Sequence, residues 1–544
     1  MFGKYMTIDS AMSIAAHYRI MQEQSKKSFS LLIGFAAMVC IVVNPAFAVD
    51  WRITPTVKAQ EIYSDNVGLS AQGSERGALV SELSPGISVI GRSARTVLNL
   101  NYQMQTLYNA GGNNGLNISN QLQYNSFNVL ARNKLFLTSR SSISQQNLSN
   151  SQIAVDNISG SGNRTTVSTF GISPYWTPTL GHYASGRVAV NYDTVNSGTS
   201  VSSSSQNSAF SDSNNLGETV QLNSGTRFGR WNWGLLFSNN QIFRSAGDTV
   251  TFQNGSATLR PYINKHFNVF FQGGYSNNSF RSTTDSNNNG FFYTVGGKWM
   301  PSKHYSLEAG IGNNSFVTVY ISPMQRFSWV TTYRDNSIGL NSGQTWQTAL
   351  NYRTRRSIWS LTHENDTTTT QQILSNIREF NTQDDFGNPA DNPQANPSLI
   401  NLPALTDEVI VRKRWNFSVS FNTGKTTLGV SAYNESRDFQ ESGNHEKVRG
   451  INGNWSFRFA PKTSIYLQPT WQETQRDSGT VLLDGSFIPG ASNDQRYDIA
   501  LGLSQAISRR ISGRLEFRHI NQSSDISIND YQENRATATM FMRF

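Results

Sequence analysis

The chain has 544 residues, of which 37% are apolar, 15% charged and 11% aromatic, with a formal net charge of +9, seven histidines and one cysteine. At ordinary domain size this length suggests three globular domains, but so polar a composition argues against three apolar cores. Disorder is the other reading of such polarity, and the aromatic content with its regular alternation rejects it.

Lys26 and Lys27 precede an apolar run, Leu31 to Val43, which is followed by Ala46-Phe47-Ala48. A charged segment, an apolar segment and a small-x-small site together read as a secretory signal peptide over 1–48, with cleavage after Ala48. The run is too short for a spanning helix, which needs roughly 20 apolar residues. The segment before Lys26 is long, so translation starts at Met1 or at Met21. The single cysteine, Cys40, lies inside the apolar run and follows Val39, too bulky for a lipoprotein cleavage site. The mature chain, 49–544, then has no thiol and no disulfide. No two histidines stand at a metal-ligand spacing within one strand, so neither a metal nor a cofactor is expected. Removing 1–48 leaves a net charge of about +7, a mild bias towards anionic ligands.

From Trp51 onward the apolar residues recur with period two. In Trp231-Asn232-Trp233-Gly234-Leu235-Leu236-Phe237-Ser238 the odd positions are large and apolar. From Ile451 to Phe459, Gly453, Trp455, Phe457 and Phe459 share one face, and Asn452, Asn454, Ser456 and Arg458 the other. Such alternation makes strands with one apolar and one polar face. The segments run about 10–14 residues, against roughly 5–6 for a soluble strand. Short turns are expected near 92–94, 131–132, 178–180, 229–230, 264–266, 301–303, 323–324, 354–356, 422–424, 461–462 and 508–510. Longer polar connections, such as 63–78, 146–163, 195–215, 280–288, 371–407 and 477–492, alternate with them. This is the pattern of an outer-membrane barrel. Eleven short turns imply about 24 strands, and an indistinct pair around 304–322 leaves 22 open. The expected fold is all-β: a transmembrane antiparallel up-and-down barrel of 22–24 strands in a bacterial outer membrane.

Trp176, Trp231, Trp233, Trp299, Trp329 and Trp359 fall close to short turns, as an interfacial aromatic girdle requires; ordinary β-propensity is the alternative. The chain ends Ala536-Thr537-Ala538-Thr539-Met540-Phe541-Met542-Arg543-Phe544. Phe544 closes a strand with apolar residues at every second position, the form of signal that barrel assembly machinery reads. The first strand follows the expected cleavage site at once, so a plug domain, a periplasmic repeat array or a passenger domain is not expected. That argues against a TonB-type receptor, an autotransporter or an assembly-machine barrel.

No catalytic constellation stands out. His363-Glu364 with Asp366 reads as solvated charge at a loop edge, and an enzyme at the barrel rim is the least favoured function. Gly273-Gly274 and Gly296-Gly297 have no helix after them, so they mark bends or close packing rather than phosphate loops. Strand parity points Arg353, Arg412, Arg414, Arg458, Arg514, Arg518 and Arg543 into the lumen, with Gln468, Gln472 and Asn416; Glu364 and Glu516 share that face. These arginines either guide an anionic solute or polymer or form a salt-bridge lattice that braces the wall. The longest loop, 371–407, carries four prolines and the apolar Leu399, Ile400 and Leu402. It either restricts the mouth or is disordered.

Four segments carry a family resemblance: Trp51-Arg52-Ile53-Thr54-Pro55, Tyr63-Ser64-Asp65-Asn66-Val67-Gly68-Leu69, the run from Leu350 to Trp359, and Leu405-Thr406-Asp407-Glu408-Val409. The chain resembles the outer-membrane barrel proteins associated with PEP-CTERM/exosortase systems, over nearly all of 49–544. The resemblance implies a place at an exopolysaccharide locus and supplies no mechanism; the leading reading is a non-enzymatic barrel that acts there as an export conduit. The implied partners are outer-membrane lipid, the assembly machinery, an anionic exopolysaccharide and a periplasmic export protein; nucleic acid is not among them. It supplies no catalytic residues. A structural or adhesive barrel whose loops bind matrix is the alternative.

Overall fold

A computed structural model describes residues 49–544 except 112–114, 149–152, 199–209, 284–288, 377–379, 384–388, 396–401, 404, 478–479, 482–486 and 489. The signal peptide expected over 1–48, with Cys40 and the Ala48 site, lies outside the described residues, as do Leu399 and Ile400.

Alternation dictates the architecture. A strand with one apolar face needs an apolar medium on one side only, and a sheet closed on itself supplies that without leaving an edge. The first eight barrel strands are β1 (Asp50–Ser64), β2 (Ala78–Arg92), β3 (Thr96–Asn109), β4 (Gly115–Ala131), β5 (Leu135–Asn147), β6 (Arg164–Trp176), β7 (Ala184–Ser197) and β8 (Ser213–Ser224). Next come β9 (Trp231–Arg244), β10 (Val250–Pro261), β11 (Phe267–Ser279), β12 (Gly290–Ser302), β13 (Tyr305–Gly312), β14 (Asn314–Met324), β15 (Phe327–Asn336) and β16 (Gly343–Arg353). The last eight are β17 (Ser357–Thr369), β18 (Val409–Asn422), β19 (Thr426–Phe439), β20 (His445–Ala460), β21 (Thr463–Arg476), β22 (Ser492–Ala506), β23 (Ile511–Ser524) and β24 (Tyr531–Arg543). A two-residue piece, Thr179–Leu180, pairs with the start of β7.

Each strand pairs antiparallel with the next, and β24 pairs with β1, from Ser64↔Arg535 to Thr56↔Arg543. The result is a closed barrel of 24 strands. All eleven expected short turns lie at one end, together with Asp50 and Phe544. In the turn Arg132-Asn133-Lys134, Asn133 has φ 58°, a left-handed conformation that asparagine tolerates better than most residues. The indistinct pair around 304–322 is β13 and β14, joined by Asn313 alone. β13 has only eight residues and no polar loop separates the two, so the pair carries a short alternation with no punctuation.

Register fixes which side chains face inward. Tyr433 lies opposite Gly450, and Tyr466 opposite Gly502. A Cβ on either glycine would stand 2.4 or 2.2 Å from the facing tyrosine ring, so each glycine is a slot for an inward ring. Gly274 and Gly296 serve Phe292 and Phe270 in the same way, at 2.4 and 2.6 Å.

Buried apolar clusters lie where the long connections meet inward side chains at the far end of the barrel. Leu374, Leu402 and Leu405 pack with Val167 of β6, Val195 of β7 and Phe210. Val67 and Ile158 pack on Ile62, Val80 and Leu107 of β1–β3. Leu69, Ala154 and Val155 pack on Ile520 of β23 and Tyr531 of β24.

Candidate functional site

The interior of the barrel is the site, and its wall alternates strictly. On β18, Arg412 and Arg414 stand opposite Arg437 and Glu435 of β19, while Trp415 shares the outer face with Asn434. Arg458 faces Ser464, Arg514 faces Thr539, Arg518 faces Arg535, Arg543 faces Thr56 and Arg353 faces Ile358. Thr539, Arg535 and Ile358 line the cavity with Arg514 and Arg518, which sets the inward parity of these strands. Gln468 lines it too, and Gln472 and Asn416 share its parity.

Those arginines divide into two groups. Towards the long-loop end they are ion-paired. Arg412 donates to Asp366 Oδ2 at 3.0 Å, and Arg414 lies 3.4 Å from Glu435. Arg437 bridges Glu435 at 2.6 Å and Glu446 at 3.3 Å. Arg518 bridges Glu516 at 3.2 Å and Asp498 at 3.5 Å, and Arg476 pairs with Asp494. Towards the short-turn end the surroundings differ. Arg514 lies over the Tyr466 ring at 5.2 Å and Arg543 over Phe541 at 5.7 Å. Arg353 and Arg458 have no carboxylate partner among the described residues. Glu364 sits opposite Arg414 on the same inner face, and Glu516 accepts from Tyr466 Oη at 2.5 Å.

His363 points the other way. It stacks on Trp415 at 4.3 Å, on the outer face within β17 rather than at a loop edge. Adjacent strand positions therefore place His363 and Glu364 on opposite sides of the wall, where they form no acid–base pair.

Several connections fold inward at the long-loop end. The helix α1 (Thr370–Ser375) begins in a capping box, in which the Thr369 hydroxyl accepts from the Gln372 N–H and the Gln372 side chain accepts from the Thr369 N–H. It leaves β17 and packs against β6 and β7, eleven and ten strands away in a ring of 24, so it crosses the mouth. Leu374 is 2% exposed there, and Arg140 of β5 donates to Asn376 Oδ1 at 3.0 Å. The returning chain is latched at Asp407, which accepts from Gln371 Nε2 and Ser211 Oγ, both at 2.6 Å. Burial pushes the Asp407 carboxyl up, and the Ser211 hydrogen bonds and the Arg244 charge offset only part of that. This crossbar belongs to the segment 371–407; a hairpin of Phe380–Gln383 and Pro389–Ala395 also lies within it.

The connection 148–163 enters more deeply, and sequence reading missed it. Arg535 donates to both oxygens of Asp156. Asn157 Nδ2 donates to Gln105 Oε1 at 2.8 Å and to Gln145 Oε1 at 2.9 Å. Tyr531 Oη donates to the Ile153 carbonyl at 2.9 Å, and Ser159 Oγ to Glu533 at 2.5 Å. Burial alone would raise the Asp156 carboxyl; Arg535 outweighs it and holds the group well below the usual carboxylate range. A further inward connection, 65–77, places Leu69 at 1% exposure with φ 53°. The missed signal was apolar residues in loops otherwise made of Ser, Asn and Gly, matched by Ile62, Val80 and Ile520 at inward positions.

Beneath loop 148–163 lies a cavity of about 670 Å³. Its lining includes Gln60, Gln103, Gln105, Gln121, Gln145 and Gln468. Amide side chains donate and accept at once, as hydroxyl groups do.

The outer face is the converse. All eleven tryptophans lie on strands, and register places each on the outer side; Trp51, Trp176, Trp231, Trp299 and Trp359 are exposed beside the short turns. An apolar outer belt around a polar, hydrogen-bonded interior is a lipid-embedded wall. The chain is an outer-membrane β-barrel. No protein-family model matches it, and no curated protein is similar to it. Among solved structures it is similar to the siderophore receptor PirA from Pseudomonas aeruginosa, at 8% identity and TM-score 0.39, covering 91% of this chain and 80% of that one. It is similar to the FrpB iron transporter from Neisseria meningitidis (F3-3 variant), at 10% identity and TM-score 0.41, covering 90% and 81%. OmpT, an outer membrane protein of Vibrio cholerae, matches at 9% identity and TM-score 0.24, covering 60% of this chain and 98% of that one. Likeness at these levels transfers neither ligand nor mechanism to this barrel.

Proposed function

We propose that this barrel is a non-enzymatic conduit for an anionic polysaccharide, serving an exopolysaccharide locus of the PEP-CTERM/exosortase kind. The observation that carries the reading is the composition of the lumen. Glutamines line its cavity, and Arg353, Arg458, Arg514 and Arg543 face inward near the short-turn end without a carboxylate partner among the described residues. A chain of hydroxyl and carboxylate groups entering there meets amide donors and acceptors with positive charge. The crossbar and loop 148–163 then act as the restriction on the far side. Periplasmic delivery requires a partner protein, since the barrel holds no energy source of its own.

A second reading rests on the paired arginines. The lattice from Arg412 to Arg535 pairs these arginines with carboxylates and braces the wall, which suits a structural barrel whose acidic outer loops bind matrix. Deleting the gene separates the two: a conduit leaves polymer trapped in the periplasm, whereas a scaffold leaves polymer outside the cell but unattached. Polymer that is exported and attached normally would remove both.

A further inference from the structure

The two ends of the barrel carry opposite charge. The eleven short turns hold fourteen lysines and arginines and neither an aspartate nor a glutamate. The twelve connections at the other end hold seventeen acidic residues and three basic ones. Net charge does not explain this, because the whole chain is only +9. Ten of the eleven turns contribute, as in Arg132-Asn133-Lys134, Thr354-Arg355-Arg356 and Ile507-Ser508-Arg509-Arg510. Apart from the half-buried Arg95, every one of these basic residues is exposed. Trp51, Trp176, Trp231, Trp299 and Trp359, exposed on the outer face, lie just inside the same rim.

We propose that this rim binds the headgroups of anionic phospholipid in the periplasmic leaflet, and so fixes the depth and orientation of the barrel. Short turns mark the periplasmic end of such barrels, and longer loops the outer end. The cations are spread round the whole perimeter. A protein partner docks on one arc, whereas a leaflet meets every turn. Long Lys and Arg stems lie along the apolar belt and place their charge at the phosphate level, with the tryptophan rings at the boundary beneath them. Exposed cations at an anionic membrane surface are attracted in proportion to their number, and salt screens that attraction. The inference needs only a membrane-spanning barrel, so it holds whether or not the lumen conducts.

The full chain, folded into nanodiscs of mixed phosphatidylcholine and phosphatidylglycerol, is extracted and its retained lipid counted by mass spectrometry. Retained phosphatidylglycerol is expected to exceed its share of the bilayer by about threefold at low salt, and to fall towards that share at high salt. The quadruple variant Arg355→Gln, Arg356→Gln, Arg509→Gln, Arg510→Gln loses much of the enrichment, while Arg281→Gln at the opposite end keeps it. Both sets of changes are in exposed connections, and the wild-type measurement stands without them. Inorganic phosphate, compared with chloride at matched low ionic strength, leaves the enrichment in place if the bilayer is the ligand. Equal retention of the two lipids at low salt, enrichment untouched by the quadruple variant, or enrichment abolished by phosphate but not by chloride of the same ionic strength overturns the proposal.

Discussion

Arg535 of β24 donates two hydrogen bonds to Asp156, at 3.1 and 2.7 Å, and so ties a loop to a wall position 379 residues later in the chain. The guanidinium is 3% exposed. It belongs to the strand that closes the barrel, so loop docking and closure share one ion pair.

Replacing Asp156 by Asn is expected to release loop 148–163. Breaking a buried pair from one side costs about 3–5 kcal/mol, and the partial exposure of Asp156 puts this case nearer about 2. Planar-bilayer conductance should rise and proteolysis within 148–163 should quicken, while the barrel itself stays heat-modifiable. Unchanged conductance and cleavage would show that the pair does not hold the loop.

The same pair sets an acid limit. The Asp156 carboxyl is held below its ordinary value when docked. The stabilisation is therefore complete above the ordinary carboxylate value and is lost as pH falls through the lowered one. Asp407 has the opposite sign. Its carboxyl is raised, so the folded latch binds more protons, and its stability declines as pH rises through the raised value. Mild acid should tighten the crossbar without loosening loop 148–163. Asp407→Asn should remove that pH dependence from a cross-linking or conductance measurement.

Gly450→Val should destabilise the barrel by about 1–3 kcal/mol, because the added side chain has to displace the Tyr433 ring that occupies its place. The readout is the temperature at which the folded band is lost on a gel. A variant as heat-resistant as the parent would mean that the ring moves away freely.

Deletion of Phe544 should lower the yield of folded barrel while export to the periplasm continues. The Phe544 N–H donates to the Pro55 carbonyl at 3.0 Å, the last bond of the β1–β24 seam, and its ring is 64% exposed on the outer side. Equal yields of heat-modifiable protein from both chains would remove Phe544 from assembly.

Excising the crossbar residues 370–407 should raise conductance more than the Asp156→Asn change does, because α1 crosses the mouth from β17 to β6 and β7. Equal conductance before and after would assign the restriction to loop 148–163 or to a separate protein.

The sequence alone determined most of the strands, the short turns between them and, by alternation, which residues of a strand share a face. A strand has period two, and an arginine in lipid costs about 2–4 kcal/mol, so the apolar phase of Trp231–Phe237 or Trp455–Phe459 has one permitted orientation. Only the tertiary structure decided what fills the interior. Whether Arg412 meets Asp366 and Arg518 meets Asp498 depends on the register of neighbouring strands and on the rotamers inside the closed ring. Whether 148–163 lies outside or inside depends on Ala154 finding Leu69 and Tyr531. Those partners come from connections and strands far apart in the chain, and no local periodicity records their meeting.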